Sequence, residues 1–222
     1  LRSPAAWATA IIGASVMPLL VFQAVAALNA STLELLAQAA RQRERIRELA
    51  THDALTGVPG LMLALDRLEQ SLRAMQRSGA KLGLLFLDLD RFKQINDTLG
   101  HDAGNVVLQV VAQRMQAKLR AGDTVARIGG DEFLVLLTGP ASAEDVMCVA
   151  AKMLQAVNEP IVYREHAIDA RGSIGAVYVD QPGSLAEDVV RAADAAMYEA
   201  KRAGGQQVRM AGSDQAEPMP QS

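Results

Sequence analysis

Hydrophobic and polar positions divide the chain into three stretches of different character. From Ala5 to Leu28 no residue is charged. A helix of that length, rising ~1.5 Å per residue, reaches across the ~30 Å hydrocarbon core of a bilayer. The pattern therefore predicts a membrane span within residues 1–30, kinked at Pro18, which membrane helices tolerate. The alternatives are a buried core helix and a signal peptide cut near Ala24-Val25-Ala26. Arg41, Arg43, Arg45 and Arg47 follow closely, so the downstream side is expected to be cytoplasmic. Residues 31–50 continue as a polar helix. Thr32, Leu35, Ala39, Gln42, Ile46 and Leu49 recur at spacings of three and four, a short heptad seam. It reads equally as a two-stranded signalling stalk or as a solvated helix with one docked face.

The third stretch, residues 51–210, alternates helix and strand patterns. Leu61, Leu65, Leu68, Leu72 and Met75 share one helix face, which ends at Ser78-Gly79. Lys81 to Leu89 is almost continuously apolar, as a buried central strand requires. A short helix over Phe92–Leu99, a turn over Gly100–Gly104 and a helix over Asn105–Leu119 follow. Thr124–Ile128 and Phe133–Leu137 read as strands joined by Gly129-Gly130. A helix over Ser142–Val157 opens with a Ser-x-x-Asp cap; short strands are expected at Ile161–Tyr163 and Ile174–Val179. Ser184 and Glu187 predict a capping box for a last helix that ends at Gly204-Gly205. Residues 211–222 are polar and read as a disordered tail. This order predicts an α/β sandwich with a mixed, mainly antiparallel central sheet flanked by helices and preceded by a helical stalk.

Composition changes this picture little. The chain has 222 residues and a formal net charge of −3, which gives no reason to expect a nucleic-acid partner. Cys148 is the only cysteine, so no internal disulfide can form; its helical apolar pattern predicts a packed, inert thiol. The first residue is Leu1 rather than Met, which predicts the C-terminal part of a longer protein.

The candidate chemistry lies where strands end in carboxylates. Asp88 and Asp90 are two apart on one strand, so both leave the same face, and two buried carboxylates repel unless a cation or donors neutralise them. Asp131 and Glu132 follow the Gly129-Gly130 turn directly, where glycine lets a bulky ligand approach the backbone. Together they suit a hard cation and metal-assisted phosphoryl chemistry. Asp90 is assigned a structural role instead, capping the following helix. No Walker-type phosphate loop and no Gly-rich dinucleotide fingerprint is present.

These residues fall in motifs that resemble a known family. "DALTG" (Asp53–Gly57), "LDLDRFKQIND" (Leu87–Asp97), "GHDAGN" (Gly100–Asn105), "GGDEF" (Gly129–Phe133), "SIG" (Ser173–Gly175) and "ADAAMYEAKRAG" (Ala193–Gly204) occur in order. The set resembles the GGDEF family of diguanylate cyclases over about residues 51–210. The resemblance implies a palm-like fold related to adenylate cyclase and polymerase catalytic domains. It implies condensation of two GTP molecules into cyclic di-GMP by a homodimer, with Mg²⁺ as cofactor and Mn²⁺ as an alternative. It implies metal ligation by Asp88, Asp131 and the Leu89 carbonyl, activation of the ribose 3′-hydroxyl by Asp131, and support from Glu132. Asn96 matches the residue that reads guanine; His101 and Asn105 match further substrate positions, and Lys93 and Lys201 match lysines near the phosphates. Gly129 and Gly130 would leave room for those phosphates. Arg120-Ala-Gly-Asp123 resembles an RxxD inhibitory motif, implying that cyclic di-GMP binds at Arg120 and Asp123 and slows its own synthesis.

Three departures from the family pattern stand out. Asn105 stands where Asp is usual, and an amide offers guanine a mismatched NH₂. Gly205 and Gln206 stand where Arg-Asn is usual, removing a phosphate-contacting arginine that Arg202 could replace. Gly60 and Leu61 replace an Asn-Arg pair. The expectation is a diguanylate cyclase at the bacterial inner membrane with its catalytic domain in the cytoplasm. The alternatives are a GGDEF module that binds GTP or cyclic di-GMP without efficient turnover, and a related cyclase that uses ATP.

Overall fold

Strand β1, Leu82–Asp90, is buried along all but its last residue because it has a neighbour on each side and helices on each face. The computed structural model describes residues 51–212 together with Leu33, Glu34, Leu36 and Gln38. The expected membrane span, the arginine cluster, the heptad positions and the tail from 213 lie outside the described residues. Among the described residues no helix is long and apolar enough to cross a membrane. Leu33, Glu34, Leu36 and Gln38 are helical and exposed. They belong to one compact unit, 1–49, and the rest of the chain to another, 50–222.

In the second unit the described elements run α1 (Leu61–Ser78), β1, α2 (Phe92–Leu99), α3 (His101–Ala117), β2 (Thr124–Gly129) and β3 (Glu132–Thr138). They continue with α4 (Ala143–Asn158), β4 (Ile161–Tyr163), β5 (His166–Ile168), β6 (Arg171–Val179), α5 (Ala186–Arg202) and β7 (Val208–Met210). The main sheet has the order β2-β3-β1-β6-β7. All its pairings are antiparallel except β6 with β7, so the mixed, mainly antiparallel sandwich holds.

Side chains alternate across a strand, and β1 splits the core accordingly. Leu85, Leu87 and Leu89 pack with Phe133, Val135 and Ile174 beneath α3 and α4. Leu82, Leu84 and Phe86 pack with Leu134, Leu136 and Val179 beneath α1 and α5. Asp88 and Asp90 continue the second set and therefore emerge on the α5 side. Helix α5 comes unusually close to the sheet. A Cβ on Gly175 would lie 1.9 Å from the Ala193 carbonyl oxygen and 2.3 Å from the Met197 nitrogen, so only glycine fits there.

Several expectations need correction. Helix α3 starts at His101 rather than Asn105, because Gly100, with φ +87°, both ends α2 and opens α3. The supposed turn Gly100–Gly104 is thus the helix's first turn. The Ser142 cap is present, accepting from the Asp145 N–H, but Ser184 caps nothing; Leu185 is the N-cap of α5 and no side chain bonds there. Cys148 is exposed rather than packed, since α4 buries Val146, Ala150, Met153 and Val157 on the opposite face. Strands β5 and β7 were not expected. The short β7 exists only through its pairing with Ile174–Ala176.

Candidate active site

The β2–β3 hairpin delivers Asp131 and Glu132 to the end of β1. Asp88 pairs in register with Glu132, and the Leu89 N–H donates to the Asp131 carbonyl oxygen at 3.3 Å. In a strand the N–H and C=O of one residue leave on the same side, so the Leu89 carbonyl also faces the hairpin. Gly130 takes φ +46° at the tip of the turn, a conformation glycine adopts without strain. Gly129 and Gly130 are both exposed.

Asp88 is only 9 % exposed. Its neighbour is the ammonium of Lys201, from the last turn of α5, with Nζ 2.5 Å from Oδ1. At that distance the ammonium donates a charge-assisted hydrogen bond to the carboxylate. Burial pushes the Asp88 carboxyl above the ordinary carboxylate range, Lys201 opposes this, and the charges of Asp131 and Asp90 add to it. Glu132 is raised for the same leading reason, burial, reinforced by Asp88, Asp131 and Asp194. Carboxylates crowded at a strand end, with Lys201 as the cation paired to Asp88, fit a hard cation. Among the described residues no three His, Cys, Asp or Glu side chains converge to hold an ion by themselves. A cation at this strand end could take two carboxylates and a main-chain carbonyl from the protein, and Mg²⁺ commonly completes such a set with water and substrate phosphates.

Asp90 does not cap α2. Arg91 is the N-cap, at φ 57°, and no side chain bonds there. The Asp90 carboxylate instead accepts from Ser173 Oγ at 2.9 and 3.1 Å and from the Gln206 N–H at 3.0 Å. Its role is structural but different: it ties β6 and the loop after α5 to β1. Gly205, with φ +74°, passes so close that a Cβ there would sit 2.9 Å from Asp90 Oδ2.

Asn96 on α2 and the first turn of α3 form a second group. The Gly100 N–H donates to the Asn96 carbonyl oxygen at 2.9 Å, closing the corner between the helices. A Cβ on Gly104 would lie 1.9 Å from Asn96 Oδ1 and 3.1 Å from Phe92 Cζ. Any side chain at position 104 would displace that of Asn96, a reason for glycine invisible in its spacing. Asn96 is half-buried, whereas Lys93, His101 and Asn105 are exposed.

Arg120 and Asp123 lie apart from these groups. The Asp123 carboxylate accepts from the Thr138 N–H at 3.0 Å and from the Arg120 N–H at 3.3 Å. Thr138 pairs with Leu82, at the far end of β1 from Asp88, roughly 20 Å away at ~3.4 Å per residue. A groove of about 560 Å³ opens beside Asp123, with Arg67, Arg73 and Arg77 of α1 on its opposite wall. Their spacing on one helix face could have signalled this basic wall in the sequence.

Comparison with known proteins places this geometry. Residues 50–207 match the family described as "Diguanylate cyclase, GGDEF domain". The chain is 39% identical over 177 residues to the bifunctional diguanylate cyclase/cyclic di-GMP phosphodiesterase MucR of Pseudomonas aeruginosa, covering 80% of this chain and 26% of MucR. It is 42% identical over 158 residues to the diguanylate cyclase TpbB of the same organism, covering 69% of this chain and 35% of TpbB. The chain thus spans about a quarter to a third of these relatives. Among solved structures, the isolated GGDEF domain of TpbB superposes with a TM-score of 0.70 at 38% identity, covering 72% of this chain and 94% of that one. The coiled coil and GGDEF domain of DgcB from Caulobacter crescentus, in complex with c-di-GMP, superposes with a TM-score of 0.74 at 29% identity, covering 83% and 99%. The chain belongs to the GGDEF family of diguanylate cyclases.

Proposed function

We propose that this chain condenses two GTP molecules into cyclic di-GMP with release of two pyrophosphates. The observation that carries the reading is the placement of Asp131 and Glu132 opposite the buried Asp88, beside Lys201, in an intact signature hairpin. Asp88, Asp131 and the Leu89 carbonyl hold Mg²⁺, or Mn²⁺ in its place. Once bound, the metal supplies polarisation of the α-phosphate and a lower pKa for the attacking 3′-hydroxyl. Asp131 orients that hydroxyl, and Glu132 supports the same site with a second carboxylate. Asn96 and Asn105 read the guanine edge, His101 adds a contact on the same helix corner, and Lys93 and Lys201 bring point charges to the phosphates. Gly129 and Gly130 let the triphosphate approach the backbone.

Each domain binds one GTP, so the reaction requires two copies, and the active unit is a homodimer. Arg120 and Asp123, with the basic wall across the groove, bind the product and restrain synthesis. The uncharged run in residues 5–28 and the arginines after it support membrane attachment with the domain in the cytoplasm. The second reading is a GGDEF module that binds GTP or cyclic di-GMP and signals without turnover; exposed Asn105 in place of Asp favours it. A test is to supply the purified chain with GTP and Mg²⁺ and resolve the products by chromatography, beside an Asp131→Ala control. Cyclic di-GMP from the unmodified chain alone is the expected result. Binding of GTP without product, at concentrations that drive dimerisation, would establish the second reading, and equal turnover of ATP would remove the assignment to guanine.

A further inference from the structure

Arg127 lies on β2 three residues before the Gly130-Asp131 turn, beside a bulge between Arg127 and Gly129. Its guanidinium is largely buried, with the side chain 14% exposed, and three of its nitrogens are engaged. Nε and Nη2 donate to the Gly130 carbonyl oxygen at 2.9 and 2.7 Å. Nη1 donates to both oxygens of Asp53 at 3.0 and 3.1 Å. The rigid fork of arginine can serve both partners at once; a lysine ammonium is a single point.

The Gly130 carbonyl belongs to the peptide unit that carries the Asp131 N–H. Peptide units are planar, so holding that oxygen fixes the plane leading into Asp131. On its other side the Asp131 carbonyl is held by the Leu89 N–H. The residue is gripped fore and aft by its backbone, which fixes the direction in which its side chain leaves the turn. Without the grip, a glycine at φ +46° has the widest conformational freedom of any residue. Asp53 is itself fixed: its Oδ1 accepts from the Thr56 N–H and Oγ1 at 2.9 and 2.6 Å, and its N–H donates to the Val58 carbonyl.

We infer that Arg127 is a positioning residue for Asp131, setting the Gly130–Asp131 peptide, and that Asp53 holds the guanidinium in place to do so. The inference rests on the proposed role of Asp131 as a metal ligand. It acts through the turn and not by contact with substrate, so its mark is on metal affinity and kcat, while KM for GTP stays with the separate α2–α3 corner.

The test uses the purified full chain and its Arg127→Lys, Arg127→Met and Asp53→Asn variants. Mn²⁺ binding is followed by electron paramagnetic resonance, with and without guanosine 5′-[α,β-methylene]triphosphate, and kcat and KM are measured with GTP. Residues that orient a metal ligand typically contribute ~10–100-fold in affinity or activity. Arg127→Lys and Arg127→Met should therefore bind Mn²⁺ about tenfold or more weakly and lose kcat, with KM for GTP within about twofold. Asp53→Asn, which leaves the bonds to Gly130 in place, should show a smaller loss. If Arg127→Met does not fold, the lysine and asparagine variants carry the comparison. Mn²⁺ affinity of Arg127→Lys equal to that of the unmodified chain overturns the inference. So does a loss of affinity in Asp53→Asn as large as in Arg127→Lys. An unmodified chain that binds Mn²⁺ and nucleotide without turnover defeats the proposed catalysis alone, because the Mn²⁺ comparison still decides the role of Arg127. An unmodified chain that binds no Mn²⁺ overturns both.

Discussion

Lys201 Nζ lies 2.5 Å from Asp88 Oδ1, so the cation nearest the buried carboxylate belongs to the protein itself. Lysine and a metal ion cannot both neutralise that oxygen fully. The Lys201→Met variant should therefore bind Mn²⁺ more tightly than the unmodified chain when nucleotide is absent. A partly buried pair of this kind contributes on the order of 1 kcal/mol, or roughly fivefold in affinity. KM for GTP should rise at the same time, since the phosphates lose a point charge. Titration with Mn²⁺ at pH 8 reads the first effect, and weaker binding by the variant would contradict the account.

The same carboxylate makes the metal-free domain sensitive to pH. Asp88 is raised above its ordinary value of 3.8, chiefly by burial, so the folded state holds the proton more tightly than the unfolded chain. Its contribution to stability is then fully present below pH 3.8 and is lost as pH rises through the folded value. Asp88→Asn, neutral at every pH, should melt higher than the unmodified chain at pH 7 in a chelator. In a domain of this size, 1 kcal/mol corresponds to about 2–4 °C. Adding Mg²⁺ should raise the melting temperature of the unmodified chain alone. A lower melting temperature for Asp88→Asn in the chelator would sink this reading.

Gly104→Ala separates packing from substrate binding. Alanine stabilises a helix by ~1 kcal/mol over glycine, which should offset the local crowding. Its Cβ displaces the Asn96 side chain, however. The expected outcome is a melting temperature near that of the unmodified chain with KM for GTP raised about tenfold. An unchanged KM would show that Asn96 does not contact the base.

Asn105→Asp restores the carboxylate usual in the family at an exposed position just after the first turn of α3. A carboxylate accepts from both guanine N–H groups where an amide mismatches one. KM for GTP should fall by several-fold while kcat changes little; a constant KM would remove position 105 from base recognition.

Gly175→Ala should be the most damaging of these changes to folding. The added methyl meets main-chain atoms of α5, which cannot rotate away as a side chain could. Overpacking of this kind costs typically 1–3 kcal/mol or more, so the melting temperature should drop by several degrees or soluble protein should be lost. A thermal melt within a degree of the unmodified chain would mean that α5 can retreat from the sheet.

What the sequence made legible was whatever local chemistry determines. The continuous apolar run into Asp88 announced a central strand, Gly79 in its left-handed conformation at φ 66° ends α1 where expected, and the β2–β3 hairpin formed, with its turn one residue later, at Gly130-Asp131, because Gly129 pairs with Glu132. The misses share a cause in tertiary structure. Strand β7 is three residues long and is defined by β6 beside it. Gly104 looked like a turn residue because its spacing shows the glycine and not the Asn96 side chain that requires it. Asp90 looked like a helix cap because its partners, Ser173 and Gln206, lie 83 and 116 residues away. The Arg127–Asp53 bridge spans 74 residues and is equally hidden from periodicity.

That bridge also bears on how the domain can be controlled. The chain comes into the domain through residues 51–53, and only the Arg127 side chain stands between Asp53 and the Gly130 carbonyl. A displacement of Asp53 would reach the peptide before Asp131 through this planar group, alongside the loop's backbone bonds to β2. Arg127 thus meets the leading loop twice, by its guanidinium at Asp53 and by its backbone N–H at the Pro59 carbonyl, so one residue of β2 joins that loop to the signature turn.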